Sequence, residues 1–265
     1  MRFIKKMPSP QGAAAGQTAT VNLPIGWTYH QLLISMKSGG SNVRVPVASW
    51  GSNIDEVRVM INGDTKIKVS AEDLVSIHQF YGVPLKPGEL PIMFSHPRSR
   101  TIAGEDVTAY GTLGLQSVTL EIDVTSGITL DDLEVRAIVS AGTPLGAHYT
   151  LRRYYKNVGV TGEIEVPEIK RGRYQLLAFH IKSSDIDAVE VEADNLELVN
   201  TTPEAAEAYY EQTGRTVQTG WTHIDLASTD RMSDAFSMDR QDFRIRANFT
   251  AIGNPAIYTE NVEVM

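Results

Sequence analysis

The feature that most constrains this chain is an internal repeat. The stretch SNIDEVRV at residues 52–59 returns as SDIDAVEV at residues 184–191, 132 positions later, with five of its eight letters unchanged. At the same offset, SAEDLVSIHQFYG at 70–82 aligns without a gap on TPEAAEAYYEQTG at 202–214. A repeat of this extent indicates a duplicated domain, and each half of a 265-residue chain is long enough to form its own core.

Each copy contains the start and stop signals of one helix. Ser70 and Thr202 stand at the N-cap position, and an acid follows two residues later, where the helix dipole favours negative charge. Gly82 and Gly214 close the two segments and suit the left-handed residue that ends many helices. The repeat therefore predicts one helix of about three turns in each half of the chain.

The other repeated segments have the alternation of β-strands. In the first copy Val57, Val59 and Ile61 fall on one face of the predicted strand. The run VTLEIDV at 118–124 alternates in the same way, and clusters of Gly, Pro, Asn and Ser separate the runs. Many short strands divided by turns are typical of antiparallel sandwiches and barrels.

The predicted fold combines the repeat with these strands. We predict an all-β chain with one short helix per repeat, built as two tandem eight-stranded jelly-roll β-barrels or sandwiches. The first jelly roll is predicted over residues 1–140 and the second over residues 148–265, with residues 141–147 as the linker.

The charge balance argues against a nucleic-acid-binding protein. The chain has 32 acidic and 24 basic residues and a net charge of -8, whereas a general nucleic-acid binder needs a basic surface to neutralise phosphates. The sequence has no cysteine, which excludes disulfides, thiolate metal sites and cysteine nucleophiles. No segment is apolar enough to predict a membrane-spanning helix.

The sequence contains no recognisable catalytic motif. Its histidines form neither an H-E-x-x-H nor an H-x-H pattern, and they are His30, His78, His96, His148, His180 and His223. We predict that they are packing or surface residues and that the chain is not an enzyme. The alternative is a double-cupin-like metal enzyme, in which distant histidines would converge in the folded structure to bind a transition metal.

Acidic residues could form calcium sites, but their spacing matches no calcium-binding loop. The candidates are Asp131, Asp132 and Glu134 in one cluster and Asp225, Asp230, Asp234 and Asp239 in another. We predict that these acids are solvated, and structural Ca²⁺ is the alternative. The repeated acids Asp55 and Asp187 are predicted to bind backbone groups where their strands begin, as Asp does in turns.

Aromatic residues allow a further alternative, a carbohydrate-binding phage spike or lectin-like β-sandwich. That function needs exposed aromatic platforms, for which the tryptophans are Trp27, Trp50 and Trp221. Trp27 and Trp221 each precede a predicted strand, which favours packing at the ends of the jelly rolls. The RRYY cluster at residues 152–155 is isolated in an acidic chain, so we predict packing or an interface there and no nucleic-acid contact.

Four segments resemble a known viral family. They are AAAGQTATVNLPIGWTY at 13–29, YGTLGL at 110–115, LRRYYKN at 151–157 and AFHIKSSDIDAVEVEADN at 178–195. In this order and spacing they resemble the major capsid protein of corticovirus-type bacteriophages, which are tailless icosahedral phages with an internal membrane. Beyond residue 195 the resemblance is one of general character only.

The resemblance implies a structural role in the virion. Three chains would form a homotrimer whose six jelly rolls give a pseudo-hexagonal capsomer, and capsomers would tile an icosahedral shell over the internal membrane. The protein would be made in the bacterial host cytoplasm. Its partners would be its own copies, neighbouring capsomers, penton proteins and membrane proteins. It would need no cofactor, and it would touch no nucleic acid directly because the membrane lies between them.

The N-terminus carries an isolated basic cluster. Arg2, Lys5 and Lys6 lie in MRFIKKMPSP, and the segment after it is too polar and glycine-rich for the apolar core of a signal peptide. We therefore predict a surface arm at this end of the chain. Within the resemblance, the arm is expected to face inward, toward lipid headgroups or membrane proteins.

Overall fold

The computed structural model describes residues 1–99, 106–166, 169 and 172–263. The chain divides into two compact units. Unit 1 comprises Met1–Gln79 with Val83–Leu151, and unit 2 comprises Phe80–Gly82 with Arg152–Met265. The domain bounds predicted from the sequence, with residues 141–147 as a linker, remain a prediction.

Strands form most of both units. Those before the unit boundary are β1 (Phe3–Lys6), β2 (Thr18–Asn22), β3 (Trp27–Ser38), β4 (Val43–Arg44), β5 (Ile54–Ile61), β6 (Asp64–Val69), β7 (Glu89–Met93), β8 (Tyr110–Gly111), β9 (Val118–Val124) and β10 (Leu130–Ala141), and β11 (His148–Tyr155) runs across the boundary. Those of unit 2 are β12 (Gly162–Glu165), β13 (Tyr174–Ile181), β14 (Ile186–Ala193), β15 (Leu196–Thr201), β16 (Thr222–Asp225), β17 (Phe236–Ser237), β18 (Phe243–Phe249) and β19 (Ala256–Glu263). The α-helices of the described residues are α1 (Ala71–Phe80) and α2 (Pro203–Gln212), and 3-10 turns cover Val47–Ser52 and Met232–Asp234.

The two units contain the same pair of sheets. One sheet has the strand order β6-β5-β9-β2 in unit 1 and β15-β14-β18-β12 in unit 2, with antiparallel neighbours throughout. In the other sheet β3 lies between β10 and β7, as β13 lies between β19 and β16. The repeat is therefore a whole-domain duplication. The prediction of an all-β double jelly roll is confirmed, and its sheets are the open layers of sandwiches and not closed barrels.

Hairpin turns follow β5 and β14 at equivalent positions. Asn62 and Gly63 have φ values of 50° and 81°, and Asp194 and Asn195 have φ values of 48° and 65°. Two residues at positive φ give the type I′ turn that matches the twist of the flanking strands. The carbonyl oxygen Oδ1 of Asn62 accepts from the Ser117 backbone N–H, and the Asp194 carboxylate accepts from the Asp242 backbone N–H, both at 3.0 Å.

The repeated acids Asp55 and Asp187 each lie at a β-bulge. The register shifts between Ile54 and Glu56 in β5, and between Ile186 and Ala188 in β14. The Asp55 carboxylate accepts from the Thr125 hydroxyl at 2.8 Å, and the Asp187 carboxylate accepts from the Asn248 amide at 2.6 Å. The prediction of backbone partners was therefore wrong. A bulge residue has no ladder partner of its own, and its side chain reaches a side chain on the neighbouring strand.

Both helices begin and end as the sequence predicts. The Ser70 hydroxyl accepts from the Asp73 backbone N–H at 3.1 Å, and the Thr202 hydroxyl accepts from that of Ala205 at 3.3 Å. Gly82 and Gly214 adopt φ values of 70° and 77°, which an L-residue with a Cβ rarely tolerates. The helices are short, and none in the described part of the chain is long and apolar enough to cross a membrane.

Alternate side chains of the strands form the cores. In unit 1, Val57, Val59 and Ile61 are buried as predicted, and so are the alternate residues of β9. In unit 2, one apolar cluster joins residues of β13, β14, β18 and β19, among them Phe179, Val191 and Ile245. The outward faces of β5, β9, β14 and β18 carry the polar and charged residues.

Candidate functional site

All six histidines are buried, with exposed fractions between 0% and 9%. They lie on different elements: His30 on β3, His78 on α1, His96 after β7, His148 on β11, His180 on β13 and His223 on β16. Across the described residues, no group of three or more histidines and acids is placed to bind a metal ion. The prediction that the histidines pack in the protein describes their burial correctly, but two of them also meet.

His180 and His223 form a buried pair in unit 2. They are cross-strand partners in the β13–β16 ladder, and their Nδ1 atoms lie 2.8 Å apart. Nε2 of His180 lies 2.7 Å from Oε1 of Glu260 on β19, and both side chains are fully buried. The three residues therefore form one continuous polar network across adjacent strands.

One arrangement of protons satisfies both contacts of this network. With a neutral His180 that donates to the Glu260 carboxylate, the proton of His180 is on Nε2 and its Nδ1 is an acceptor. His223 must then carry its proton on Nδ1 and donate it to His180. Nε2 of His223 is a buried lone pair with no hydrogen-bond partner among the described residues.

Aromatic rings enclose the histidine pair. The Phe80 ring stacks on the His223 ring with centroids 4.0 Å apart, and the Trp221 ring lies parallel to it at 5.7 Å. Burial among these rings lowers the pKa of His223 well below its usual value of 6.5, and the neighbouring His180 lowers it further. The imidazole of His223 is therefore buried against apolar rings on its faces and contacts His180 through Nδ1.

The basic N-terminus does not form a free arm. Its residues 3–6 are strand β1, which pairs with β10 in antiparallel register. The Arg2 guanidinium lies 2.5 Å from the Asp106 carboxylate, and the Lys6 ammonium lies 2.6 Å from that of Glu134. The Lys5 ammonium lies 4.4 Å from the centre of the Trp27 ring. The predicted surface location is correct, but the arm is an edge strand because Phe3 and Lys5 dock on Trp27.

Most of the acidic residues considered for calcium binding already contact a lysine, an arginine or a hydrogen-bond donor. Asp131 accepts from the backbone N–H of Asn42 at 3.0 Å, Asp132 lies 3.9 Å from Lys37, and Glu134 binds Lys6 and Arg136. The hydrogen bond from Lys6 holds the pKa of Glu134 below its ordinary value. In the second cluster Asp234 accepts from the hydroxyls of Thr229 and Ser233, and Asp239 is exposed.

Two members of the second acidic cluster bind a buried arginine. Nε of Arg215 lies 2.7 Å from Oδ2 of Asp225, and both side chains are fully buried. Nη2 of Arg215 lies 2.9 Å from Oδ1 of Asp230. Burial would lower the pKa of Arg215, but the two carboxylates raise it above its usual value, so the guanidinium stays charged. The prediction that these acids are solvated was wrong for Asp225.

The aromatic candidates do not form an exposed platform. Trp50 and Trp221 are buried, and Trp27 contacts Phe3 and Lys5. In the RRYY cluster Tyr154 packs against the core of unit 2, and the Arg153 guanidinium lies 5.2 Å from the ring of Tyr155. The packing predicted for Trp221 is confirmed.

Comparisons with known proteins identify relatives over the whole chain. Two family models match, the viral coat protein P2 N-terminal domain over residues 4–140 and the viral coat protein P2 C-terminal domain over residues 149–265. The chain is 25% identical over 274 residues to the major capsid protein P2 of Pseudoalteromonas phage PM2, covering 100% of this chain and 98% of that one.

Solved structures show the same fold. The crystal structure of the major capsid protein P2 from bacteriophage PM2 superposes with a TM-score of 0.89 at 24% identity, covering 100% of this chain and 98% of that chain. A chain of the atomic structure of Sulfolobus turreted icosahedral virus has a TM-score of 0.71 at 12% identity, with 98% of this chain and 90% of that chain covered. The PBCV-1 virus capsid structure has a TM-score of 0.65 at 8% identity, with 99% and 94% covered.

The two halves of the chain thus match the two consecutive domains of one family, which agrees with the two domains that the internal repeat predicts. The family is one of structural coat proteins, which favours the structural role over the metal enzyme and the carbohydrate-binding module. On these grounds the chain belongs to the viral coat protein P2 family, with residues 4–140 matching its N-terminal domain and residues 149–265 its C-terminal domain.

Proposed function

We propose that this chain is the major capsid protein of an icosahedral phage and that three copies form the capsomer of its shell. The observation that carries the proposal is the full-length match to a major capsid protein, with 100% of this chain and 98% of the relative covered. The location that follows is the virion, after synthesis in the bacterial host cytoplasm. Pentons and membrane proteins would be further partners.

Duplication supports the threefold assembly. Each chain contributes two units with the same sheets, so three chains present six similar domains around one axis. Closed cyclic symmetry is the common form of homo-oligomers. A trimer of doubled domains therefore meets its neighbours with nearly sixfold geometry, which suits a shell of hexagonally packed capsomers.

The mass of the assembled protein tests the trimer. Native mass spectrometry of the purified chain is expected to give about 87 kDa, three times the 29.1 kDa of one chain. The same sample in denaturant gives the mass of the single chain and serves as the control. A stable monomer or dimer at capsid-like concentrations would contradict the trimeric capsomer and leave the family membership unaffected.

The N-terminal strand is our proposal for the lipid-facing element. Arg2 directly precedes the edge strand β1, Lys5 and Lys6 lie on it, and the side chain of Lys6 is 58% exposed. Their contacts with Asp106, Trp27 and Glu134 hold the cations in place on unit 1. A cluster of cations near an anionic membrane surface gains about 1 kcal/mol for each charge.

Charge removal tests this proposal better than truncation, because Met7 is buried and its backbone N–H donates to Val135. The variant Arg2→Gln/Lys5→Gln/Lys6→Gln is expected to weaken binding to phosphatidylglycerol vesicles by roughly 100-fold, measured by co-sedimentation. The control variant has the same charge change at exposed arginines of unit 2, Arg231→Gln/Arg240→Gln/Arg244→Gln. Equal loss in both variants, or no loss in either, would exclude β1 as the lipid contact.

A further inference from the structure

The first strands of the hairpins β5–β6 and β14–β15 share the features that face the core, whereas the second strand is largely buried in β6 and not in β15. Strands β5 and β14 are both eight residues long and have the same alternation of buried and outward residues. Both have the bulge at an aspartate, and both continue into a two-residue turn at positive φ. The apolar faces of β5 and β14 therefore give the folding chain little basis for placing each of these strands beside its own partner, β9 or β18.

The outward faces differ. Each unit has an arginine–glutamate pair at equivalent positions, but the arginine is on the hairpin strand in unit 1 and on its partner strand in unit 2. In unit 1, Arg58 on β5 is the cross-strand partner of Glu121 on β9, with Nε and Oε2 2.9 Å apart. In unit 2, Glu190 on β14 is the partner of Arg246 on β18, with Oε1 and Nη1 3.2 Å apart. Arg58 and Glu190 occupy equivalent positions, 132 residues apart, and so do Glu121 and Arg246, 125 residues apart.

Neighbouring charges strengthen each native pair. Nη1 of Arg58 lies 2.7 Å from Glu56 and 2.6 Å from Asp123, so one guanidinium joins three carboxylates. Burial would raise the pKa of Asp123, but hydrogen bonds from Arg58 and Thr18 hold it below its ordinary value. In unit 2, Nη2 of Arg246 also lies 3.1 Å from Glu192.

Exchanging the hairpins would place like charges together. With β14 beside β9, Glu190 would face Glu121, and the shared surface would hold four carboxylates with no cation; they are Glu190, Glu192, Glu121 and Asp123. With β5 beside β18, Arg58 would face Arg246 with Arg244 next to them, and Glu56 would be the carboxylate that β5 brings to these three cations. Like charges directly opposite in an antiparallel pair are destabilising, whereas opposite charges stabilise it.

We propose that the reversed polarity of these ion pairs selects the partner of each duplicated hairpin, so that β5 folds beside β9 and β14 beside β18. Exposed ion pairs add little to the stability of a finished fold. Their effect is larger here because the choice is between attraction and repulsion at the same position. A tandem duplication needs such a distinction, since inter-domain misassembly and domain swapping are characteristic failures of multidomain and repeat proteins.

Matched charge exchanges test the proposal on the full chain. The variant Arg58→Glu/Glu121→Arg keeps opposite charges in unit 1 but gives both units the same polarity, and Glu190→Arg/Arg246→Glu does the same through unit 2. On refolding from urea, each is expected to give roughly tenfold more misassembled or intertwined species than the parent by size-exclusion chromatography with light scattering. The variant that combines all four substitutions reverses both pairs, restores opposite polarity and is expected to refold like the parent.

The fourfold variant makes the result decisive. Recovery of the parental yield in it supports the proposal even if a double variant fails to refold at all, because the same substitutions are then tolerated. Double variants that refold with the parental yield would overturn the proposal. A fourfold variant that refolds no better than the double variants would overturn it as well, since the loss would then come from the substitutions and not from matched polarity.

Discussion

Replacing Arg215 with methionine is expected to lower the free energy of unfolding of unit 2 by about 3–5 kcal/mol, because it leaves the buried carboxylate of Asp225 without its counter-charge. The Arg215 and Asp225 side chains are fully buried and lie 2.7 Å apart. The guanidinium also donates to the carbonyl oxygens of Thr213 and Ala227, which close the loop between α2 and β16. Urea unfolding of the full chain, followed by circular dichroism, measures the loss.

An exposed arginine of the same unit is the matched control. Arg244 lies 3.0 Å from Asp242, but its side chain is 45% exposed, so Arg244→Met is expected to cost less than about 1 kcal/mol. The double variant Arg215→Met/Asp225→Leu removes both buried charges and is expected to recover part of the stability that Arg215→Met loses. Equal effects of Arg215→Met and Arg244→Met would show that the buried pair does not hold the loop.

The sequence predicts the helix ends and the strand faces, which depend on adjacent residues and occur in both copies of the repeat. The ends of both helices followed from Ser70, Thr202, Gly82 and Gly214, and the strand faces followed from alternation. These features depend on the backbone preferences of single residues and on burial of every second side chain, so adjacent residues contain the whole signal. Because the domain is duplicated, each of these signals occurs twice in the chain.

Contacts that join distant parts of one copy left no such signal. His180 and His223 meet only because β13 and β16 are adjacent in register, and the register of the first copy pairs Leu33 with Pro91 at the corresponding positions. The N-terminal strand was also missed as a strand, because its partner β10 begins more than a hundred residues later. Partner strands are chosen by the whole fold, and local pattern does not specify them.

The sequence also did not predict the buried ion pair of Arg215 and Asp225. Asp225 follows Arg215 by only ten residues, yet a cluster of acids with no calcium-loop spacing indicates solvated side chains when burial is unknown. The burial of Arg215 comes from Gly214, which turns the chain back from α2, and from the packing of Tyr81 and Tyr210. Spacing alone could not separate an ion pair from a solvated cluster.

Acidification is expected to destabilise unit 2 through His223. The pKa of His223 is lowered in the folded protein by burial and by His180, whereas the unfolded chain has the ordinary value of 6.5. A lowered folded pKa contributes stability that is present above the unfolded value and is lost as the pH falls below it. The unfolded chain then binds the additional proton, and the free energy of unfolding falls by up to about 1.4 kcal/mol per pH unit for this one group.

The variant His223→Gln tests this origin of acid sensitivity. Its amide can donate to Nδ1 of His180 but cannot take up a proton, so the free energy of unfolding is expected to fall less steeply below pH 6.5 than in the parent.

Other ionisable groups near the ring are Glu260 beyond His180, and Tyr210 and Glu207 of α2, which line a small cavity with His223. His148→Gln replaces a buried histidine of unit 1 and is the control for the substitution itself. Parallel pH profiles of the parent and His223→Gln would contradict the assignment, because the protonation that unfolds unit 2 would then lie at another group.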